Sequence, residues 1–369
     1  MLPPNETERQ QIAETIFGGG FASHASGPEL KAYFRHYVSV VCPAATEEVV
    51  IDVDNLTKCH ADILRCVEIL HKHPELALDE FITKAVHSEE PIIKEKEHIA
   101  RVTVDIAFMI NCGLRDYHSD GFKCNDLGIV KWQGDSSFVE FVKQAFTSQL
   151  FDTEEQQRKN LEAVKHKKAL KAWKLSRRSG IEIKATNNLL EHLAYDSKTR
   201  ILKIFHQMSF LRAHLERTRD EPLDMSFEDS LKRGTLPPRL LLETLLTFHT
   251  ILFPIASAGD KRSHSMLGKM IRKQGFDQEG KWVGFVRPLP PDMVYMYWGD
   301  RLAKLYEVVK RPPPTNPVVA WFERHTSERN ALTVAILGLF LAVLFGFLSV
   351  ILGLLQLVVA WLAWKYPVS

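Results

Sequence analysis

The sequence lacks the motifs that identify most common enzyme classes. It contains no G-x-S-x-G nucleophile elbow and no H-E-x-x-H metal-binding helix. The glycine-rich segment 17–21 lacks the lysine and hydroxyl residue of a phosphate-binding loop. The formal net charge is only +2 over 369 residues, so the chain as a whole does not indicate nucleic-acid binding. These absences favour a protein without enzymatic activity, with no predicted cofactor and with nucleic acid unlikely as a partner.

Cysteine is scarce, with five residues and no tight framework of pairs. An odd number of unpaired cysteines is typical of reduced thiols in a cytosolic domain. Cys112, His118 and Cys124 surround one polar segment and are the best candidates for a metal site, but the pattern offers no fourth ligand. The alternative is that the cysteines are buried free thiols.

Charge is missing altogether from residues 331–364, where Thr333, Ser349 and Gln356 are the polar residues. A bilayer core of about 30 Å needs about 20 apolar residues in a helix, and a helix pairs its backbone groups internally. The N-terminus lacks the basic start and apolar core of a secretory signal. The sequence therefore predicts a single-pass, tail-anchored membrane protein whose N-terminal domain faces the cytosol.

The segment before this run predicts how the anchor is attached. Residues 311–317 read RPPPTNP, which is typical of an extended linker. Residues 318–330 form a juxtamembrane segment in which Trp321 and Phe322 suit the bilayer interface. Because membrane thickness sorts anchors by length, the long run favours endoplasmic reticulum or secretory membranes over the mitochondrial outer membrane.

Small and polar residues recur along the apolar run at a mean spacing of about 3.6, the period of one continuous helix. A hairpin of two short passes is the alternative, but the run contains no turn signal. Because small residues let membrane helices approach closely, we expect self-association through Gly338, Ala342, Gly346, Ser349, Gly353 and Gln356. The other interpretation is that these residues face lipid without a partner.

Apolar periodicity predicts a mainly α fold with a minor α+β component. A helical region at 1–150 and a second region at 151–310 are expected to form one domain. Helices are expected at 28–41, 55–72, 75–87, 88–110, 153–178, 239–253 and 292–310. Strands are expected at 128–132, 181–184, 201–205 and 282–286, with a short helix at 186–194.

Asp52 and Asp54 follow an apolar run as a D-x-D pair. This pair resembles the first motif of haloacid-dehalogenase-like phosphatases and the D-x-D of sugar transferases, which implies Mg²⁺ binding and nucleophilic or acid–base roles. The residues that follow depart from the phosphatase pattern, and no later acidic pair follows a strand. The alternative is that Asp54 caps the helix at 55–72. A membrane-bound, metal-dependent hydrolase or transferase is therefore the alternative function.

A basic run without an acid lies between residues 163 and 181. Near a bilayer such a run would be attracted to the anionic cytoplasmic leaflet, and nucleic acid is the other partner that suits it. A solvated helix face is the simplest interpretation. The candidates for membrane-surface or anion contact are Lys165, Lys167, Lys168, Lys171, Lys174, Arg177 and Arg178.

Several strings resemble a group of mainly helical filamentous-fungal proteins with a C-terminal transmembrane helix. They are TNNLLEHL from residue 186, IFH from 204, LETL from 242, YWGDRL from 297 and the proline linker. The resemblance implies a fungal origin and a helical, tail-anchored layout, and it assigns no catalytic residue. Together these observations favour a membrane-tethered interaction or scaffold protein, with a membrane-active effector as a further alternative.

Overall fold

A computed structural model of the chain describes residues 2–19, 30–42, 60–85, 93–113, 131–147, 154–255, 260–290, 293–310 and 331–365. The chain divides into two compact units, Met1–Lys310 and Arg311–Ser369. The first unit has one hydrophobic core that draws on nearly every helix it contains. The second unit is described by its single long helix.

Helices dominate the first unit, as the apolar periodicity predicts. They are α1 Glu6–Phe17, α2 Lys31–Val41, α3 His60–Lys72, α4 Leu78–Ala85, α5 Ile93–Phe108, α6 Phe138–Thr147, α7 Glu154–Lys165, α8 Ala172–Ser179, α9 Met208–Arg217, α10 Phe227–Lys232, α11 Pro238–Leu246, α12 Lys261–Gln274 and α13 Gly299–Lys310. Helix α7 packs against α13, α9 against α11, and α3 against both α1 and α5. The mainly α fold is therefore confirmed.

A three-stranded sheet lies between α8 and α9 in the chain. Its strands are β1 Glu182–Thr186, β2 Tyr195–Asp196 and β3 Ile201–Phe205, in the order β1-β3-β2. Strand β3 pairs with β1 in parallel and with β2 antiparallel. A 3₁₀ turn, Leu189–Glu191, replaces the short helix expected at 186–194. The two strands predicted at 181–184 and 201–205 are confirmed.

The prediction of a strand at 282–286 is wrong. Those residues have no regular structure, and Trp282 and Val283 are exposed rather than paired in a sheet. Apolar β-branched residues suit a strand only where a partner strand supplies hydrogen bonds, and the described sheet offers none here. Of the strand expected at 128–132, residues 128–130 lie outside the described residues and 131–132 are irregular.

Three predicted helices have different bounds in the structure. The helix expected at 153–178 is broken by a 3₁₀ turn, Lys167–Ala169, because α7 packs against α13 while α8 packs against α12 and β1. The apolar helix expected at 239–253 changes after Leu246 into a π-helix, Thr247–Leu252. The last helix of the unit begins at Gly299 rather than at 292.

The late start of α13 has a visible cause in the buried carboxylate of Glu243. Its two oxygens accept hydrogen bonds from the backbone N–H groups of Met296 and Tyr297 at 2.8 Å and of Trp298 at 3.3 Å. Trp298 is the N-cap of α13, because its carbonyl accepts the first intrahelical hydrogen bond from Leu302, and an N-cap N–H has no partner within the helix. The side chain therefore caps α13 from α11.

A second set of polar contacts extends this link to the sheet. The Trp298 indole donates to the Thr244 hydroxyl at 2.8 Å. The Thr247 hydroxyl donates to the Thr244 carbonyl, so it accepts from Nε2–H of His192 at 2.7 Å. The Arg301 guanidinium lies 5.0 Å from the Trp298 ring and donates to the Leu190 carbonyl at 2.7 Å. Three of the strings that carry the family resemblance, TNNLLEHL, LETL and YWGDRL, thus meet in one buried network.

The second unit contains α14, Ala331–Lys365, a single uninterrupted helix of 35 residues. Its segment Gly338–Leu362 is long and apolar enough to cross a membrane. None of that segment is buried within the structure. One continuous helix, rather than a hairpin, is what the residue spacing predicts.

We expect Glu243→Ala to lower the free energy of unfolding of residues 1–310 by about 3 kcal/mol, because three backbone donors lose their acceptor. Urea unfolding followed by circular dichroism measures this change. Glu228→Ala is the matched control, since Glu228 is exposed and pairs only with Lys232 at the surface, and it should cost about 0.5 kcal/mol or less. Equal losses in the two variants would contradict the capping role.

Candidate anionic-surface site

Most residues of the predicted catalytic and metal sites lie outside the described residues: Asp52, Asp54, His118 and Cys124. Cys112 is described and is buried, and its backbone carbonyl accepts from Trp132 N–H at 3.0 Å. Within the described ranges no group of three or more His, Cys, Asp or Glu side chains is placed to hold a metal ion. The enzymatic and metal hypotheses therefore stay predictions.

Buried titratable groups are numerous, but their geometry suits packing. Burial raises the pKa of Glu243 to about 8, and the three backbone donors act in the opposite direction. Burial lowers the pKa of His71 and His206 to about 3. Each of these side chains is buried in the core. Perturbed pKa values alone do not define an active site.

His249, like His214, is buried without a hydrogen-bond partner among the described residues. It lies in the π-helix, is 1% exposed, and neither ring nitrogen has a hydrogen-bond partner among the described residues. Burial, followed by the charge of Arg212, lowers its pKa to about 3. The imidazole is therefore neutral and packs edge-on against Phe248 and Phe285.

The basic run of residues 165–178 is divided among three elements. Lys165 ends α7, while Lys167 and Lys168 lie on the 3₁₀ turn. The other members are Lys171, at the residue before α8, and Lys174, Arg177 and Arg178 within α8. All seven side chains are exposed or half-buried. The run is therefore a bent basic surface and not one helix face.

Helix α12 extends this surface from a distant part of the chain. Its sequence, KRSHSMLGKMIRKQ, carries five basic residues and no acid. Ser263, Leu267 and Met270 form its buried side, and its basic side chains are exposed. Because α12 packs against α8, basic residues about 90 positions apart in the sequence meet on one pair of helices.

Specific contacts fix α12 on α8. The Lys171 ammonium pairs with the Asp260 carboxylate at 2.5 Å, and the same carboxylate caps α12 by accepting from Ser263 N–H at 3.1 Å. Burial would raise the pKa of Asp260, but these hydrogen bonds outweigh it and hold the pKa below its usual value. The Arg262 guanidinium lies 4.7 Å from the centre of the Trp173 ring, a cation–π contact between the helices.

The other end of α12 is held by the sheet and by α2. The Gln274 amide donates to the Ile183 carbonyl of β1 at 2.9 Å. Arg35 donates to the carbonyl of Gly275, which ends α12 in a left-handed conformation. The basic side chains of α12 are thus presented on a helix that is attached at both ends.

The electrostatics identify α8 and its flanking turn as a crowded positive surface. Burial, then the charges of Arg178 and Lys171, lower the pKa of Lys174, and Lys168 contributes in the same direction. Basic residues in the first turn of α12, Lys261 and Arg262, oppose the helix dipole and disfavour the helix. Helix stability therefore does not explain Lys261 and Arg262, whereas Arg177, Arg178, Arg272 and Lys273 lie in the last turns of their helices, where positive charge is favourable. We define Lys174, Arg177, Arg178, Lys261, Arg262, Lys269, Arg272 and Lys273 as the basic face.

Sequence inspection found the α8 part of the basic face and missed α12. The signal was present, because α12 concentrates five basic residues in 14 positions without an acid. Helix α12 lies about 90 residues after the first basic run in the sequence. That the two basic segments meet depends on tertiary packing, which the sequence pattern does not show. No protein-family model, curated protein or solved structure matches the chain.

The predicted pairing residues of the apolar helix, Gly338, Ala342, Gly346, Ser349, Gly353 and Gln356, all lie on α14. Each is exposed in the single chain. Self-association through this stripe stays a prediction, since exposure of a lone helix is equally compatible with lipid around it.

We expect the stability of residues 1–310 to fall as the pH drops below about 6.5, because buried histidines with lowered pKa values bind fewer protons than the unfolded chain. For His249 alone the loss between about pH 8 and about pH 5 is about 2 kcal/mol. Urea unfolding at both pH values should show that His249→Phe loses about 2 kcal/mol less than the wild type. The same pH-dependent loss in both proteins would contradict a buried neutral His249.

Proposed function

We propose that this protein is a single-span, membrane-tethered interaction or scaffold protein whose first unit binds the anionic surface of the bilayer through the basic face. Helix α14 is the membrane anchor, and the first unit lies on the cytosolic side of the membrane. Endoplasmic reticulum or secretory membranes are the proposed location because α14 is long.

The observation that carries the proposal is the length and the apolar composition of α14. Thirty-five residues form one helix, and its span Gly338–Leu362 contains no charged residue and has no described part of the chain covering it. Twenty-five residues at 1.5 Å each extend about 37 Å, which exceeds the hydrocarbon core of about 30 Å and allows a moderate tilt. In water such a helix would expose a large apolar surface, which soluble monomers avoid.

The basic face supports the second part of the proposal. Anionic lipids attract basic residues near the surface with about 1 kcal/mol each. Eight basic side chains on two packed helices without an acidic residue supply this attraction over an extended area. The membrane is favoured over nucleic acid because α14 would hold the unit beside a bilayer permanently.

Two other functions stay predictions. The hydrolase or transferase depends on Asp52 and Asp54, which lie outside the described residues. The membrane-active effector depends on α14 and on the basic run of residues 165–178 acting on a bilayer. Neither has a supporting contact among the described residues.

The anchor is tested by alkaline carbonate extraction of cell membranes. We expect the full chain to stay in the membrane pellet and residues 1–310 to be released. Leu344→Arg with Ile351→Arg should release the full chain as well, because an arginine at the helix centre costs about 2.5–3.5 kcal/mol. Leu344→Ile with Ile351→Val is the matched control and should be retained. Release of the unaltered full chain would refute the membrane anchor.

The basic face is tested by vesicle flotation of residues 1–310. We expect binding to phosphatidylcholine vesicles only when roughly 30% phosphatidylserine is present, and weaker binding as salt rises from about 0.1 M, because surface charges are screened. Lys269→Glu with Arg272→Glu and Lys273→Glu should lower the affinity about 100-fold or more.

The control for the flotation test has the same change of charge elsewhere on the unit. Lys31→Glu, Lys84→Glu and Lys143→Glu alter exposed residues of α2, α4 and α6, and they should lower the affinity far less. Equal losses of affinity in the two triple variants would show that binding depends only on net charge and not on the basic face. Tight binding to duplex DNA without vesicle binding would favour nucleic acid and overturn the membrane assignment.

A further inference from the structure

The segment between α12 and α13 exposes an unusual share of the large apolar side chains of the first unit. Within the described part of residues 2–310, seven such side chains are exposed, and five lie between 282 and 296. Trp282 is 67% exposed and Val294 is 54% exposed. The five residues, which we name the apolar loop, are Trp282, Val283, Leu289, Val294 and Met296.

The apolar loop is firmly attached to the unit on both sides. Arg212 of α9 donates to the Trp282 carbonyl and pairs with Glu279 at 3.3 Å. Arg287 donates to the carbonyls of Thr218 and Glu221. Glu243 binds the backbone at the far end of the loop, as described above. The backbone is therefore held at Trp282, at Arg287 and at 296–298, and Trp282 and Val283 are exposed beside the first of these points.

The surface beside the loop is shallow and apolar. Residues 282–286 and Arg212 surround a groove of about 310 Å³ that opens to solvent. No acidic residue occurs from 280 to 291, whereas Lys281 and Arg287 lie within that stretch. A basic and apolar segment with an exposed tryptophan has the composition that settles at the interface of an anionic bilayer.

The position of the loop in the chain favours the same partner. Helix α13 follows the loop and ends at Lys310, and α14 begins at Ala331. The 20 residues between these two helices can span at most about 72 Å. A tether of that length makes contact with the bilayer an intramolecular event, so a weak apolar contact is sufficient.

We propose that the apolar loop inserts Trp282 and Val283 into the interfacial region of the bilayer that anchors the protein, a proposal that rests on the membrane anchoring proposed above. The indole ring suits this region because its apolar body and its N–H group face different surroundings. The prolines at 288 and 290 restrict the backbone beside the insertion point. The loop contributes a short-range contact that salt does not screen, whereas the basic face contributes a long-range one.

The test measures vesicle binding of residues 1–310, a compact unit with its own core. We expect Trp282→Ser with Val283→Ser to lower the partition onto vesicles with roughly 30% phosphatidylserine about tenfold. Leu161→Ser is the matched control, since Leu161 is 60% exposed on α7, and it should bind like the wild type. Circular dichroism and urea unfolding establish that all three proteins fold equally.

A second readout reports the depth of the indole directly. Vesicles made with brominated acyl chains should quench a part of the tryptophan emission of the wild type, and Trp282→Phe should lack that part. If wild-type 1–310 binds vesicles while the loop variant binds equally tightly and quenching is unchanged in Trp282→Phe, the loop proposal alone fails. If wild-type 1–310 does not bind vesicles, the loop proposal and the basic-face proposal both fail. Carbonate extraction of the full chain reports on the anchor independently.

Discussion

The buried carboxylate of Glu243 is the contact on which the second half of the first unit depends. It joins α11 to the three residues before α13, and so it fixes the point at which the last helix of the unit begins. Burial of a charged or acidic group raises the free energy of the folded state unless the group is hydrogen-bonded. Here the two carboxylate oxygens accept three hydrogen bonds. Because the folded-state pKa lies above the usual value, this side chain favours the folded state most at low pH, and that contribution is lost as the pH rises through about 8.

The capping of α13 has consequences on both sides of that helix. On its N-terminal side, the backbone from Met296 to Trp298 is fixed, which also fixes the end of the apolar loop. On its other side, α13 packs against α7 and leads to the segment before α14. Trp298 connects this arrangement to α11 through Thr244, and Arg301 connects it through the Leu190 carbonyl to the 3₁₀ turn between β1 and β2. A single buried cluster therefore positions the loop and the last helix before the anchor.

The accuracy of the sequence predictions depended on how local each feature is. Apolar periodicity located most helices and the strands at 181–184 and 201–205, because burial of one face leaves a local pattern. It failed at 282–286, where the residues have strand propensity but no described partner strand. The basic surface was predictable only on α8, because α12 joins it through contacts such as the Lys171–Asp260 pair, whose members are 89 positions apart. No local pattern encodes such a contact, since the pairing depends on where both helices sit on the core.

The distribution of charge gives the first unit a reason to adopt one orientation at a bilayer. Helices α8 and α12 hold eight basic residues and no acid, while the whole chain carries +2, so all other residues together carry −6. An anionic leaflet attracts the basic face and repels the remainder, and this difference acts over about a Debye length, near 8 Å at physiological salt. This electrostatic attraction determines which face of the first unit is turned to the bilayer. It does not determine how deeply the unit enters the bilayer, because it varies slowly with distance. An apolar contact varies steeply with depth, so the basic face and the apolar loop would have separate roles even though each alone binds weakly.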